Sequence, residues 1–323
     1  MPEPVIRQRM NNGFQLIKPF LRFMEDLLED DSISEIMVNE SRRVFIEKMG
    51  QVREMPDLKV NPIGLKIAVQ NIASSLGKVL DEGHPILDAR LPDGSRVCAV
   101  IPPVSMEGIT LSIRKFSTRG FSIGDLIELS SITPNQAAFL QEQIEGRKNI
   151  LISGGTGTGK TTLLNILTDF VPATDRLVII EDTAEINISK PNLVRLEAKE
   201  QAPIRELLKA SLRLRPDRII LGEIRGGEAF DLLQALNTGH SGSMSTIHAD
   251  SALRSLQRLE ACTLQAAVDL PYHAIQAFIA DSIQFVVHIE RLGGKRYVKE
   301  ILQLEGYNYE LHTYRTKKVE GLK

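Results

Sequence analysis

Two patterns of apolar positions divide the chain. Up to about residue 115, short alternating runs at 36–38, 44–46 and 51–55 predict strands, and Pro62 opens a helix to about residue 76, with Gly77 just past its end. Apolar residues at helical spacing over 14–28, followed by the acidic Glu29-Asp30-Asp31, predict a helix ahead of the first strand. Runs at 86–91 and 96–101 flank Pro92-Asp93-Gly94, a hairpin signal, and Gly108 leads into a further strand at 109–113. Residues 1–115 are therefore expected to form an α+β domain.

From 116 to 131 the chain has two glycines and no clear period, and 116–133 reads as a linker and hinge. Thr133-Pro134-Asn135-Gln136 then restarts it with a capping box and a proline at the first helical position. Continuous apolar runs at 149–153, 177–181, 193–196, 218–222 and 244–248 alternate with helical periods at 160–170, 203–213, 227–237 and 251–261. Fully apolar strands alternating with helices predict a mostly parallel sheet covered on both faces, so 134–323 is expected to be an α/β domain. A late hairpin is expected from 283–289 and 297–304 around Gly293-Gly294.

Composition changes this picture little. With 323 residues, the chain exceeds the length at which one core stops growing, about 250–300 residues, which agrees with two domains. A net charge of −2, no tryptophan and 5% aromatic residues argue against a basic, aromatic-lined lane for nucleic acid. Cys98 and Cys262 cannot build a four-thiolate metal site and suit a reducing compartment. No run reaches the roughly 18 apolar residues of a membrane span. The start, MPEPVIRQRMNNG, lacks the apolar stretch of a secretory signal. The expected location is the cytoplasm, with any membrane contact peripheral.

The chemistry centres on residues 150–162, where an apolar strand runs into Gly154-Gly155-Thr156-Gly157-Thr158-Gly159-Lys160-Thr161-Thr162. This is a phosphate-binding loop. Its glycines let successive backbone N–H groups turn inward around phosphates, Lys160 reaches the terminal phosphates, and the Thr161 hydroxyl ligates Mg²⁺. The following helix points its positive end at the same anion. ATP with Mg²⁺ is the expected ligand.

Four further segments bear on that loop. The next strand ends in Glu181-Asp182-Thr183-Ala184-Glu185, acids that either hold Mg²⁺ and its waters or form a solvated strand end. Strand 218–221 stops at Gly222-Glu223, with glycine where an aspartate usually stands. Glu223 is placed to orient or deprotonate a water, or is a surface acid, while Arg225 pairs with a nearby acid or contacts another subunit. His240 and His248 bracket the strand at 244–248; His248 is expected at a γ-phosphate or its water, with His240 contributing less directly. Arg96 and Arg114 in the first half are either surface charges or cations that swing over the nucleotide.

Together, DGSRV…PP…LSIRKF, GGTGTGKTT, IIEDTAE, RPDRIILGEIR and TGHSGSMSTIHADS, in family order, resemble the traffic ATPases of type II and type IV secretion, and within them the short TrbB-like ATPases of conjugal transfer. The resemblance covers about 35–297. It implies a RecA-like P-loop core behind a smaller α+β domain that covers the nucleotide, assembled as a homo-hexamer. Glu223 would be the catalytic glutamate, and Glu185 would help hold the metal or water. His248 would sense the γ-phosphate, with Arg96 and Arg114 closing from the N-terminal domain. A cytosolic motor serving inner-membrane secretion or conjugation components is implied. A pilus assembly or retraction motor, or a nucleic-acid translocase or helicase, is the alternative. The four-cysteine motif and longer N-terminal extension of many pilus-assembly and type II relatives are absent here, which favours conjugation or type IV transport.

Overall fold

The computed structural model describes residues 17–48, 51–91, 94–115 and 121–322. Residues 14–16 of the predicted first helix, Pro92-Asp93 of the predicted turn and 116–120 of the predicted linker lie outside them. The chain divides into two compact units, Met1–Arg119 and Gly120–Lys323.

In the first unit, the predicted helix over 14–28 is, where described, two 3₁₀ turns and a short α1 (Glu25–Glu29). Pro19 explains the difference, because proline removes a donor from a helix interior and its ring clashes with the preceding turn. The apolar spacing still serves its purpose: Ile17, Leu21, Met24 and Leu28 are all buried. After it come β1 (Ile33–Asn39), β2 (Arg43–Lys48), β3 (Gln51–Glu54), α2 (Pro62–Ser75), β4 (Ile86–Arg90), β5 (Arg96–Val100) and β6 (Thr110–Arg114). The Asn61 side chain caps α2 by accepting from Ile63 and Gly64. The strands form one antiparallel sheet in the order β3-β2-β1-β6-β5-β4. Alternate residues such as Ile36, Val38, Leu111 and Ile113 form its core with α2 and the 17–28 segment.

The second unit opens with α3 (Ile123–Glu128), inside the stretch expected to be linker. Ser122 and Asp125 cap it reciprocally, and Ile123, Leu126 and Ile127 pack onto the core. Six residues are too few for a helical period to show in a sequence, so this helix was not foreseen within the linker. There follow α4 (Pro134–Glu145), β7 (Ile150–Gly154), α5 (Lys160–Thr168), β8 (Leu177–Glu181), β9 (Leu193–Glu197), α6 (Ile204–Leu212), β10 (Arg218–Ile224) and α7 (Glu228–Asn237). The chain continues through β11 (Met244–His248), α8 (Ala252–Leu264), α9 (Tyr272–Ser282), β12 (Phe285–Leu292), β13 (Lys295–Asn308) and β14 (Thr313–Lys318).

The sheet order is β14-β13-β12-β7-β11-β10-β8-β9, parallel from β12 to β9, with β13 and β14 antiparallel at one edge. Both faces are buried, as the apolar runs require. Val178, Ile180, Ile219 and Leu221 face α6 to α9, while Leu177, Ile179 and Ile220 face α4 and α5. The fold class is thus α/β with a smaller α+β unit ahead of it. Strand β8 follows β7 in sequence but is separated from it in the sheet by β11 and β10.

One buried charge fixes the far end of this sheet. Arg218 is fully buried; its Nε donates to Asp175 Oδ2 at 2.6 Å and its Nη1 to the Ile144 carbonyl at 2.6 Å. The second Asp175 oxygen accepts from Arg147 at 2.9 Å. Removing Arg218 leaves Asp175 with Arg147 as its remaining cation and the buried Ile144 carbonyl without this donor, so Arg218→Leu should cost about 1.5–3 kcal/mol of stability in urea titrations, and a loss within about 0.5 kcal/mol would refute this role.

Candidate active site

The carboxyl ends of β7, β11, β10 and β8 meet where an open parallel sheet presents its ligand site. Gly154, the last residue of β7, has no room for a side chain: a Cβ would lie 2.6 Å from the Ile289 carbonyl oxygen and 2.6 Å from Thr158 Oγ1. Beyond Gly155 and the exposed Thr156, Gly157 and Gly159 take left-handed φ values of 69° and 94°, which L side chains rarely adopt. These positions curl the loop, and α5 starts at once with Lys160, Thr161 and Thr162 in its first turn. Lys160 Nζ and Thr158 Oγ1 each donate to the Gly155 carbonyl at 2.9 Å. Burial lowers the Lys160 pKa, with Arg225 acting the same way and Glu223 opposing. Lysine, glutamate and arginine therefore share one field.

The acids divide by role. Glu181 is buried at the end of β8 and accepts the backbone N–H groups of Glu185 and Ile186, each at 2.8 Å. It shapes the loop that carries Glu185 instead of standing in a solvent-facing cluster with it. A Cβ on Gly222 would lie 3.1 Å from Glu181 Cγ, so the glycine at the usual aspartate position gives space to a glutamate from the neighbouring strand. Next along β10, Glu223 accepts from Arg225 Nε at 2.8 Å, and Arg225 Nη1 donates to Asp182 at 2.7 Å. Burial opposes the Arg225 charge, but the hydrogen bond and the charges of Glu223, Asp182 and Glu185 outweigh it and raise its pKa.

His248, opposite Gly154 in the ladder, places Nε2 3.0 Å from Thr156 Oγ1. A direct bond thus links the strand beside β10 to the loop. His240 lies at the other end of β11. Its Nδ1 is 3.1 Å from the Ala235 carbonyl, where it closes the end of α7, so it has no part in the site. His288, which lacked any sequence context, is buried under the loop with Nδ1 2.9 Å from Ser153 Oγ, and burial lowers its pKa. Arg296, also unforeseen, donates its Nε to the Gly157 carbonyl at 2.8 Å. In the first unit, Arg96 and Arg114 are direct cross-strand partners on β5 and β6. Among the described residues no cluster of three His, Cys, Asp or Glu side chains could hold a metal ion, and no helix is long and apolar enough to cross a membrane.

Burial raises the Glu181 pKa to about 7, against the two backbone hydrogen bonds that lower it. An acid whose folded pKa lies above its unfolded value binds more protons in the native state, so its contribution is fully present below pH 4.5 and is lost as pH rises through 7. Glu181→Gln keeps an oxygen acceptor without the charge. It should stabilise the fold at pH 8 by about 1–3 kcal/mol and by almost nothing at pH 4, read from denaturant midpoints. An equal effect at both pH values would contradict a buried, titrating Glu181.

The chain is similar to known proteins along most of its length. Residues 21–301 match the family described as type II/IV secretion system protein. The conjugal transfer protein TrbB of Rhizobium radiobacter is 40% identical over 284 residues, which cover 87% of this chain and 86% of that protein. The VirB11 ATPase of the Brucella suis type IV secretion system, solved with sulphate, is 28% identical with a TM-score of 0.50, covering 92% of this chain and 96% of that one. The Legionella pneumophila ATPase DotB, 19% identical, shares the fold with a TM-score of 0.64 over 91% of this chain and 82% of its own. The chain belongs to the type II/IV secretion system protein family.

Proposed function

We propose that this chain is an ATP-hydrolysing motor subunit that powers a type IV secretion or conjugative transfer apparatus. The observation that carries the reading is the convergence of Lys160, the Glu223–Arg225–Asp182 bridge and the His248–Thr156 bond on one glycine-curled loop. The names of the Rhizobium and Brucella relatives support the machine it serves.

The loop N–H groups and the α5 N-terminus would hold the β- and γ-phosphates, with Lys160 exchanging the Gly155 carbonyl for a phosphate oxygen. The Thr161 hydroxyl, with Glu185 and Glu223 close to the cationic cluster, is a donor set that suits Mg²⁺, which would neutralise charge on those phosphates. Glu223 would orient the attacking water and accept its proton, and the Arg225 hydrogen bond holds that carboxylate in place. The γ-phosphate's departure would reach His248 through Thr156. Arg96 and Arg114, side by side on their sheet, would close over the nucleotide as arginine fingers, which rests on the family resemblance. The same resemblance supports a homo-hexamer at inner-membrane components, in the cytoplasm, with coupling through motion between the domains about 116–133.

Glu223→Gln should bind ATP like the unaltered protein yet hydrolyse it about 100-fold or more slowly, since a positioned base supplies about 10²–10⁴ in rate. Normal turnover would place the base elsewhere. Arg114→Ala should lower kcat about tenfold or more while ATP affinity changes less than about threefold; an equal loss of both would indicate ground-state binding.

A further inference from the structure

The β12–β13 hairpin tip, Arg291-Leu292-Gly293-Gly294-Lys295-Arg296, carries three cations and no acid in six residues. Strand β12 runs parallel to β7 with Ile289 opposite Gly154, so the tip must emerge at the same end of the sheet as the phosphate loop. Arg291 and Arg296 are direct cross-strand partners, an arrangement in which like charges work against the ladder. Both side chains are drawn to the loop. Arg296 Nε donates to the Gly157 carbonyl at 2.8 Å, and its Cδ lies 3.5 Å from where a Cβ on Gly159 would stand. Arg291 Nη1 lies 3.5 Å from the corresponding point on Gly157.

We propose that this hairpin is a same-subunit wall of the phosphate site, in which Arg296 is a positioning residue for the loop and Arg291 adds positive charge beside it. The inference rests on the nucleotide reading above and deepens it. In a planar trans peptide the C=O and N–H point to opposite sides. A donor that holds the Gly157 carbonyl toward the hairpin therefore turns the Thr158 N–H away from it, to the side where a phosphate is cradled. The guanidinium acts through the loop and need not touch the nucleotide. Its bond also offsets the freedom of a glycine at φ 69°, which would otherwise let this peptide flip. The like-charged pair gains most when a polyphosphate lies next to it, so binding and hairpin charge support one another.

The test is the affinity of the full chain for ADP and AMP, with thermal unfolding measured with and without ADP. Arg296→Ala should weaken ADP about tenfold and AMP less than about threefold, because only ADP places a β-phosphate in the loop; tenfold corresponds to one charge-assisted hydrogen bond. Arg296→Lys should recover most of the loss. ADP affinity unchanged in Arg296→Ala would overturn the proposal. So would a lower unfolding temperature with a full ADP-induced shift, which marks a merely structural arginine. Equal losses for ADP and AMP would move the contact to the nucleoside end and overturn the positioning role. If the unaltered protein failed to bind ADP, the nucleotide reading itself would fall, and this inference with it.

Discussion

The site depends on a close approach that only glycine permits. Gly154 brings the end of β7 so near to Ile289 and Thr158 that the chain must turn there, and left-handed Gly157 and Gly159 complete the curl. Each neighbouring element then attaches to the loop by one polar contact. The β11 strand does so through His248 on Thr156, the hairpin through Arg296 on Gly157, and α5 through Lys160 on Gly155. Beneath it, Ser153 meets the buried His288 of β12. A loop with weak internal preference is thereby over-determined by its surroundings, which is how strained conformations persist at functional sites.

Around that loop, the acids are sorted by burial. Glu181 takes the space left by Gly222 and spends its oxygen on the backbone of the next segment, so it acts on the site through Glu185. Glu223 and Asp182 stay more exposed and share Arg225. One guanidinium thus spans the ends of β10 and β8, and its charge and that of Glu223 both reach Lys160. A change at any of these groups alters the field felt by the others.

Most of the second unit was legible because its signals are local and strong. Five apolar runs, the glycine spacing and the capping box at Thr133 follow from backbone rules and left little freedom. Glu223 and His248 came from strand ends that the pattern located, and Lys160 from the helix start that follows the glycine loop. What escaped was either short or non-local. Helix α3 has six residues, and β14, with Tyr314 among Arg315, Lys317 and Lys318, looks like solvated loop until it is paired at a sheet edge. Pro19 broke a helix whose apolar spacing survived as burial. His240 shared a motif with His248 but lies at the opposite end of its strand. Arg296 reaches a residue 139 positions away, and no period in the chain announces which tip residue will do so.

The central claim is that this site turns over ATP within a ring, as the secretion reading requires. Mass in solution and ATP hydrolysis by the purified chain, measured together with and without ATP-Mg²⁺ and again with single-stranded DNA, test it most directly. The account predicts an assembly of about six subunits whose hydrolysis is indifferent to DNA. A monomer that remains monomeric with ATP, or hydrolysis strongly stimulated by DNA, would contradict it.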